Sequence, residues 1–123
     1  MIYNIKQNHT GNTDNQLLGH ARQDNGFTYK VHSCKIANID TTNVYINIKL
    51  YRKWKDEAGA DQTETIEILK TFYIRKGYTV ELFDEPFEYP DEYDLMISLD
   101  NSAYNISWIT KTEVLEINSN KEL

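Results

Sequence analysis

The sequence has little cysteine, proline or glycine, and these shortages exclude several classes of protein. Its single cysteine, Cys34, rules out an intrachain disulfide, so the fold must depend on a hydrophobic core. The five glycines are isolated from one another and form no phosphate-binding loop. The composition therefore argues against a disulfide-stapled small domain and against a nucleotide enzyme with a glycine loop.

An excess of positive charge and long apolar runs are also missing. The basic residues Arg52, Lys53, Lys55, Lys70, Arg75 and Lys76 could form a local patch, but the net acidity weakens single-strand nucleic-acid binding. The formal net charge is -6, which disfavours binding to nucleic acid or to an anionic membrane. No stretch approaches the roughly 18 apolar residues of a membrane helix, and the first residues lack the pattern of a signal peptide. We therefore expect no nucleic-acid partner, no membrane partner and synthesis in the cytoplasm.

Patterns of catalytic and metal-binding residues are scarce as well. The histidines, His9, His20 and His32, lie in different segments without the spacing of a zinc site. Cys34 has no identifiable base or oxyanion donor. The acidic segment 84–94 is a candidate for calcium, although a solvated connection is the simpler interpretation. We predict a protein that is not an enzyme and has no catalytic residue, cofactor or metal.

The clearest positive signal is strict alternation of apolar and polar residues. It is strict in the run 43–51, and similar alternation recurs at 78–82 and 93–99, at 66–74 with Lys70 as an exception, and at 104–117 with a slip of phase. No helical periodicity of ten or more residues is present. The apolar members of the first run are Val44, Ile46, Ile48 and Leu50. This pattern predicts an all-β fold, an antiparallel β-sandwich of jelly-roll or immunoglobulin-like type with about seven to eight strands.

Interruptions of the alternation predict bulges and turns. The phase slips near Ser33, as an inserted residue in a β-bulge would cause, and slips again near Ile109 and Thr110. The polar stretch 55–63 predicts a long hairpin loop, and Lys76-Gly77 predicts a tight turn. Both prolines lie in 84–92, which predicts a connection between sheets.

The first part of the chain differs from the rest in composition. Between residues 3 and 26, Ile5, Leu17 and Leu18 are the large aliphatic residues in a polar background. We predict an extended arm over 1–26, a β-sandwich domain over 27–117 and a flexible tail over 118–123. The arm is either a frayed terminus or a segment ordered on a neighbouring subunit, where Leu17 and Leu18 would anchor it.

Candidate partner-binding residues lie on the polar side of the strands. Tyrosine and tryptophan are enriched at protein interfaces because one part of the side chain is apolar and another is polar. Together with Leu17 and Leu18, the predicted contact residues are Tyr45, Asn47, Lys49, Tyr51, Trp54 and Tyr73.

The order of motifs resembles small β-sandwich virion proteins of tailed bacteriophages. The resemblance covers about 29–117 and includes the strand end at 36–40, the alternating run 44–51, Tyr73-Ile74, the segment 77–82, the turn at 102–103 and the closing run 114–117. Where that group often has an acidic-glycine pair, this chain has Asp91-Glu92-Tyr93-Asp94.

The resemblance implies a structural protein of the capsid, neck or tail adaptor. Such a protein would be located in the virion, contact other virion proteins and form a homo-oligomer, either a ring or a trimer. The rival hypothesis is a carbohydrate-binding β-sandwich module, in which Trp54, Trp108 and tyrosines would stack on sugar rings. The parity that Trp108 shares with Ile106 argues that Trp108 belongs to the core instead.

Overall fold

The structure is a computed structural model that describes residues 2–116. This part of the chain forms nine strands and no helix, which confirms the all-β prediction and slightly exceeds the predicted strand number. The strands are β1 (Ile2–Thr10), β2 (Asn15–Gln16), β3 (Phe27–Asn38), β4 (Val44–Lys55), β5 (Asp61–Ile74), β6 (Thr79–Glu81), β7 (Phe87–Pro90), β8 (Asp94–Leu99) and β9 (Asn105–Glu116). In this described range no helix is long and apolar enough to cross a membrane.

The strands form two antiparallel sheets that enclose one core. The first sheet has the order β1-β9-β3-β6, with β7 also paired to β3, and the second has the order β2-β8-β4-β5. Inward residues of both sheets, such as Ile36 and Ile48, are fully buried in a single hydrophobic cluster. The indole N–H of Trp108 donates to the backbone oxygen of Leu17 at 2.9 Å inside this cluster. The predicted β-sandwich is confirmed.

The predicted arm over 1–26 is wrong for the described part of that segment. Strand β1 pairs with β9 from Ile2 opposite Glu113 to Thr10 opposite Asn105. Leu17 and Leu18 are 0% and 3% exposed and belong to the core, so neither can contact a partner as predicted. Hydrophobic burial explains the difference, because these two leucines close the space between the edges of the two sheets.

The acidic segment 84–94 fixes the connection between β2 and β3 through hydrogen bonds. The Asp94 carboxylate accepts a hydrogen bond from the backbone N–H of Arg22 at 2.7 Å. The Asp91 carboxylate accepts one from the backbone N–H of Asn25 at 2.9 Å. Both aspartates are buried, and no group of three or more His, Cys, Asp or Glu side chains that could hold a metal ion occurs among residues 2–116. The segment therefore has a structural task in the folded chain.

One of the two predicted phase slips is confirmed. The pairing of β3 with β9 shifts register between Val31 and Ser33, which is the predicted bulge. The slip predicted near Ile109 and Thr110 is wrong, because β9 keeps one alternation and buries Thr110 and Thr112 on the side of Trp108. Threonine at inward positions made an unbroken strand look interrupted in the sequence.

The connections are shorter than predicted in two places. Asp61 pairs with Lys55, so the loop between β4 and β5 spans only 56–60. The segment 84–92 connects β6 of the first sheet with β8 of the second sheet as predicted, but it also contains β7, which pairs with β3 of the first sheet. Gly77 adopts a left-handed φ of 76° in the predicted turn. The tail predicted over 118–123, and the end of the last strand at residue 117, lie outside the described residues.

Candidate binding surface

The outward side of the β2-β8-β4-β5 sheet carries most of the predicted contact residues, and we call it the outer face. Inward residues of β4 are buried from Val44 to Leu50, and the residues between them are partly exposed. This alternation places five predicted residues on the outer face: Tyr45, Asn47, Lys49, Tyr51 and Tyr73. Trp54 follows the inward alternation but lies beyond the core, at the end of β4.

A tyrosine pair occupies one end of the outer face. Tyr45 lies opposite Tyr73 in the β4–β5 register, and their ring centroids are 5.4 Å apart with a tilt of 50°. Tyr73 is 44% exposed, so the pair presents aromatic surface to solvent. Because each ring limits the rotamers of the other, this surface is ordered before any partner binds.

Asn47 organises the middle of the outer face. Its side-chain N–H donates to the Asp100 carboxylate at 2.6 Å, and its oxygen accepts from the backbone N–H of Thr71 at 2.8 Å. Thr71 has a φ of 56°, which is strained for a β-branched residue. The β4–β5 register shifts on both sides of Ile48, so Thr71 belongs to a doubly bulged stretch of β5. The hydrogen bond from Thr71 to Asn47 compensates part of this strain.

A polar cleft of about 410 Å³ surrounds this bulge. It is lined by side chains of both charges and by neutral polar groups: Asn47, Lys49, Glu67, Lys70, Thr71, Ser98 and Asp100. The Lys49 ammonium lies 2.9 Å from the Asp14 carboxylate, which fixes one wall. Such a lining can form hydrogen bonds and ion pairs with a polar ligand or with the rim of a protein partner.

A cation–π cluster lies at the other end of β4. The Arg52 guanidinium is 4.0 Å from the centroid of the Trp54 ring and 2.6 Å from the Glu92 carboxylate. The Tyr93 hydroxyl donates to Glu64 at 2.8 Å, and this hydrogen bond raises the pKa of Tyr93. The Trp54 ring is therefore held in one orientation, although the residue is 38% exposed. The sequence analysis missed the other members of the cluster because they lie on three different strands or turns.

The remaining candidate groups do not assemble into a reactive site. Cys34 is fully buried, and burial together with the charge of Glu81 raises its pKa to about 12. A thiol with so high a pKa is a poor nucleophile at neutral pH. His32 contacts Glu113 at 2.9 Å, whereas His9 contacts the backbone of Thr13. Each of these groups has a local structural contact.

These observations define an antiparallel β-sandwich with an ordered, non-planar outer face. Comparison with known proteins adds little to this description. No family model and no curated protein matches the chain. Among solved structures, it is similar to the CBM22-1 and GH10 modules of Clostridium thermocellum endo-1,4-β-D-xylanase 10B, complexed with xylohexaose. The identity is 15% and the TM-score 0.42, over 89% of this chain but 20% of the xylanase chain. A similarity at this level carries no argument about function.

Proposed function

We propose that this protein is a non-enzymatic structural component of a tailed-phage virion, in the head, neck or tail adaptor, and that it assembles through protein–protein contacts at the outer face. The contact surface is supported by the ordered Tyr45–Tyr73 pair on the outer face. Trp54, a positioned ring at the far end of β4 on the opposite alternation, is a second predicted contact beside the outer face and not on it. Tyrosine, tryptophan and arginine dominate the binding energy of protein interfaces. The location in a virion is supported by the sequence resemblance alone.

These side chains are already held in one conformation, so a partner could bind them without a large loss of side-chain entropy. Immobilising a flexible side chain at an interface costs about 0.5–1.5 kcal/mol. Trp54 already packs against Arg52, and Arg52 is held by Glu92. The polar cleft on the same outer face as the Tyr45–Tyr73 pair would belong to this contact and exchange hydrogen bonds with the partner.

The first experiment asks whether the protein is present in virus particles. Particles purified from the source of the sequence by density gradient would be analysed by mass spectrometry and by chemical cross-linking. We expect peptides of this chain in the particle fraction, with cross-links from Lys49 or Lys70 to another virion protein. Absence of the chain from purified particles would contradict the proposal.

Two variants then test the two aromatic contacts, one on the outer face and one at the end of β4. Tyr73→Ala and Trp54→Ala should each weaken binding to the cross-linked partner about tenfold or more, as expected for interface hot spots. Tyr78→Ala is the matched control, because Tyr78 is an exposed tyrosine in the turn after β5. Equal affinities for all three variants would place the contact elsewhere on the molecule.

The second candidate is a carbohydrate-binding module, and the polar cleft is the observation that favours it. Sugars bind proteins by stacking on aromatic rings and by hydrogen bonds to amide, carboxylate and ammonium groups. Tyr73 and the groups around Asn47 provide both at neighbouring positions on β4 and β5.

A glycan array followed by calorimetry tests this second function. Plant and bacterial cell-wall oligosaccharides would be the probes, and Tyr73→Ala should abolish any binding while Tyr78→Ala leaves it intact. No binding on the array, or binding that survives Tyr73→Ala, would rule out a sugar site on the outer face.

A further inference from the structure

Strand β1 forms a regular and unprotected edge of the first sheet. Within the described residues it pairs with β9 alone, through nine consecutive residues without a register shift. Its sequence, IYNIKQNHT, contains no proline or glycine and a single formal charge, Lys6. The backbone groups on its free side are therefore available to another strand.

A cleft of about 510 Å³ opens at this edge. Four consecutive residues from Ile2 to Ile5 line it, together with Leu18, Tyr29 and Val114 on its inner wall. Successive side chains of a strand point to opposite faces, so a run of four lining residues means that the cleft reaches the strand edge itself. Ile2 and Tyr3 are 52% and 42% exposed, which leaves apolar surface uncovered at the same place.

The other half of β1 is less accessible on its inner side. The Gln7 side chain donates to the backbone oxygen of Gln16 at 3.3 Å. A Cβ added to Gly19 would come within 2.9 Å of that same side chain, which shows how closely the connection approaches β1 there. A neighbouring strand would therefore meet the least obstruction around residues 2–6.

We propose that β1 pairs antiparallel with β1 of a second copy of this chain, across a two-fold axis at Asn4. In this register Asn4 lies opposite Asn4 of the partner subunit, Tyr3 opposite the partner subunit's Ile5, and Ile2 opposite the partner subunit's Lys6. The inner faces of the two first sheets then lie on the same side. Each cleft is covered at its mouth by Tyr3 or Ile5 of the other copy.

The sequence of β1 favours this register over its neighbours. A two-fold axis perpendicular to the sheet pairs side chains of like orientation, so the axis must pass through a residue pair. Centring on Lys6 would oppose two lysines, which destabilises a strand pair. Centring on Ile5 would place Tyr3 opposite Gln7, whereas centring on Asn4 pairs Tyr3 with Ile5 twice. The Asn4 register therefore gives apolar contacts without like-charge repulsion.

This contact is separate from the outer face and does not depend on the proposed function. It uses the free edge of the first sheet, and the outer face belongs to the second sheet. Variants at β1 can therefore abolish self-association without altering binding at Tyr73 or Trp54, and the reverse also holds. Failure of one proposal is thus distinguishable from failure of the other.

Cysteine cross-linking tests the register directly. Directly opposed residues of antiparallel strands have Cα atoms about 4.5–5.5 Å apart, which suits a disulfide. Asn4→Cys should form a covalent dimer under mild oxidation, visible on a non-reducing gel. Asn8→Cys is the matched control, because it changes the same residue type on the same side of β1 but should give little dimer. Cys34 is buried and does not compete.

Sedimentation equilibrium of the unmodified protein accompanies the cross-linking. We expect a reversible dimer. Strictly monomeric protein at the highest soluble concentration, or equal cross-linking of Asn4→Cys and Asn8→Cys, would overturn the proposal.

A charge-exchange experiment gives an independent measurement. Asn4→Asp and Asn4→Lys should each lose self-association, because like charges would face each other at the axis. An equimolar mixture of the two should recover association as a heterodimer. Circular dichroism would establish that both variants keep the β-fold. Undiminished self-association of either variant alone would contradict the Asn4 register.

Discussion

Strands β1 and β5 both lie at the edge of a sheet, but they expose very different edges. Strand β5 is the longer of the two, and its register against β4 shifts on both sides of Ile48. Strand β1 keeps an unbroken register with β9. Bulges twist an edge away from an incoming strand, so β5 is protected against strand addition and β1 is not.

The protected edge carries a conformational cost. Thr71 adopts a left-handed backbone, which costs about 1–2 kcal/mol for a residue with a Cβ. Asn47 and Asp100 hold this conformation through two hydrogen bonds. At its bulged edge β5 exposes side chains, whereas β1 also exposes a regular row of backbone groups.

The largest expected effect concerns the attachment of the segment that follows β1. Leu17→Ala should lower the free energy of unfolding by about 3 kcal/mol, because it leaves a cavity in the core. Ile66→Ala is the matched control on β5, where the side chain is exposed and the loss should stay below about 1 kcal/mol. Urea denaturation measures both. Equal losses would mean that the connection after β1 is no better anchored than the surface of β5.

The threonines beneath β1 should give the next largest effect. Thr110 lies opposite Ile5, is buried, and its hydroxyl has no hydrogen-bond partner among the described residues. Thr110→Val keeps the shape and removes this unpaired group, so it should raise the free energy of unfolding by about 1 kcal/mol. Thr63→Val on exposed β5 should change it little. A destabilised Thr110→Val variant would indicate that the hydroxyl is hydrogen-bonded in solution.

Relief of the strain in β5 should have a smaller effect. Thr71→Gly removes the Cβ that opposes the left-handed conformation, although glycine also increases the entropy of the unfolded chain. We expect a net gain of about 0.5 kcal/mol in chemical denaturation. Thr65→Gly, in the regular part of the same strand, should instead lose about 1 kcal/mol. If both variants lost stability equally, the strain at Thr71 would be negligible.

The smallest effect is a pH dependence at β6, the edge of the first sheet farthest from β1. Burial alone would raise the pKa of Glu81, but hydrogen bonds from the Ser33 hydroxyl and the backbone N–H of Cys34 outweigh it and lower the pKa below its ordinary value of 4.5. A lowered pKa stabilises the fold above pH 4.5 and loses that contribution as pH falls through the folded value. Glu81→Gln should therefore flatten the decline in stability below this pH. An unchanged pH profile would contradict the assignment.

The difference between a central strand and an edge strand also explains which parts of the fold could be predicted. Strand β4 lies between two neighbours and buries one side fully, so its alternation of Val44, Ile46 and Ile48 is unambiguous. Strand β1 has a neighbour on one side only, and most of its residues are exposed or half-buried. A polar sequence with few aliphatic residues therefore looked like an arm, although backbone pairing with β9 makes it a strand.

The candidate site was predictable where it depends on one strand. The alternation of β4 placed Tyr45, Asn47 and Lys49 on one side of the sheet, as the structure confirms. The Arg52 cluster joins residues far apart in the chain, and single-sequence periodicity carries no information about such contacts. The left-handed Thr71 was equally hidden, because threonine favours regular strands and its sequence neighbours give no sign of the bulge.

The hydrogen bond between Trp108 and Leu17 has a consequence for the order in which the molecule is made and folded. The two residues are separated by 91 positions. On the ribosome, Leu17 is synthesised long before the strand that supplies its partner. The early segment can pair with β8 first, through the hydrogen bond from the Leu17 N–H to the Leu95 oxygen, but it completes its contacts only when β9 is present. Contacts between such distant residues slow folding. Closure of the sandwich at this corner should be among the last steps. A slow refolding phase in the fluorescence of a Trp54→Phe variant, in which Trp108 is the remaining tryptophan, would be its signature.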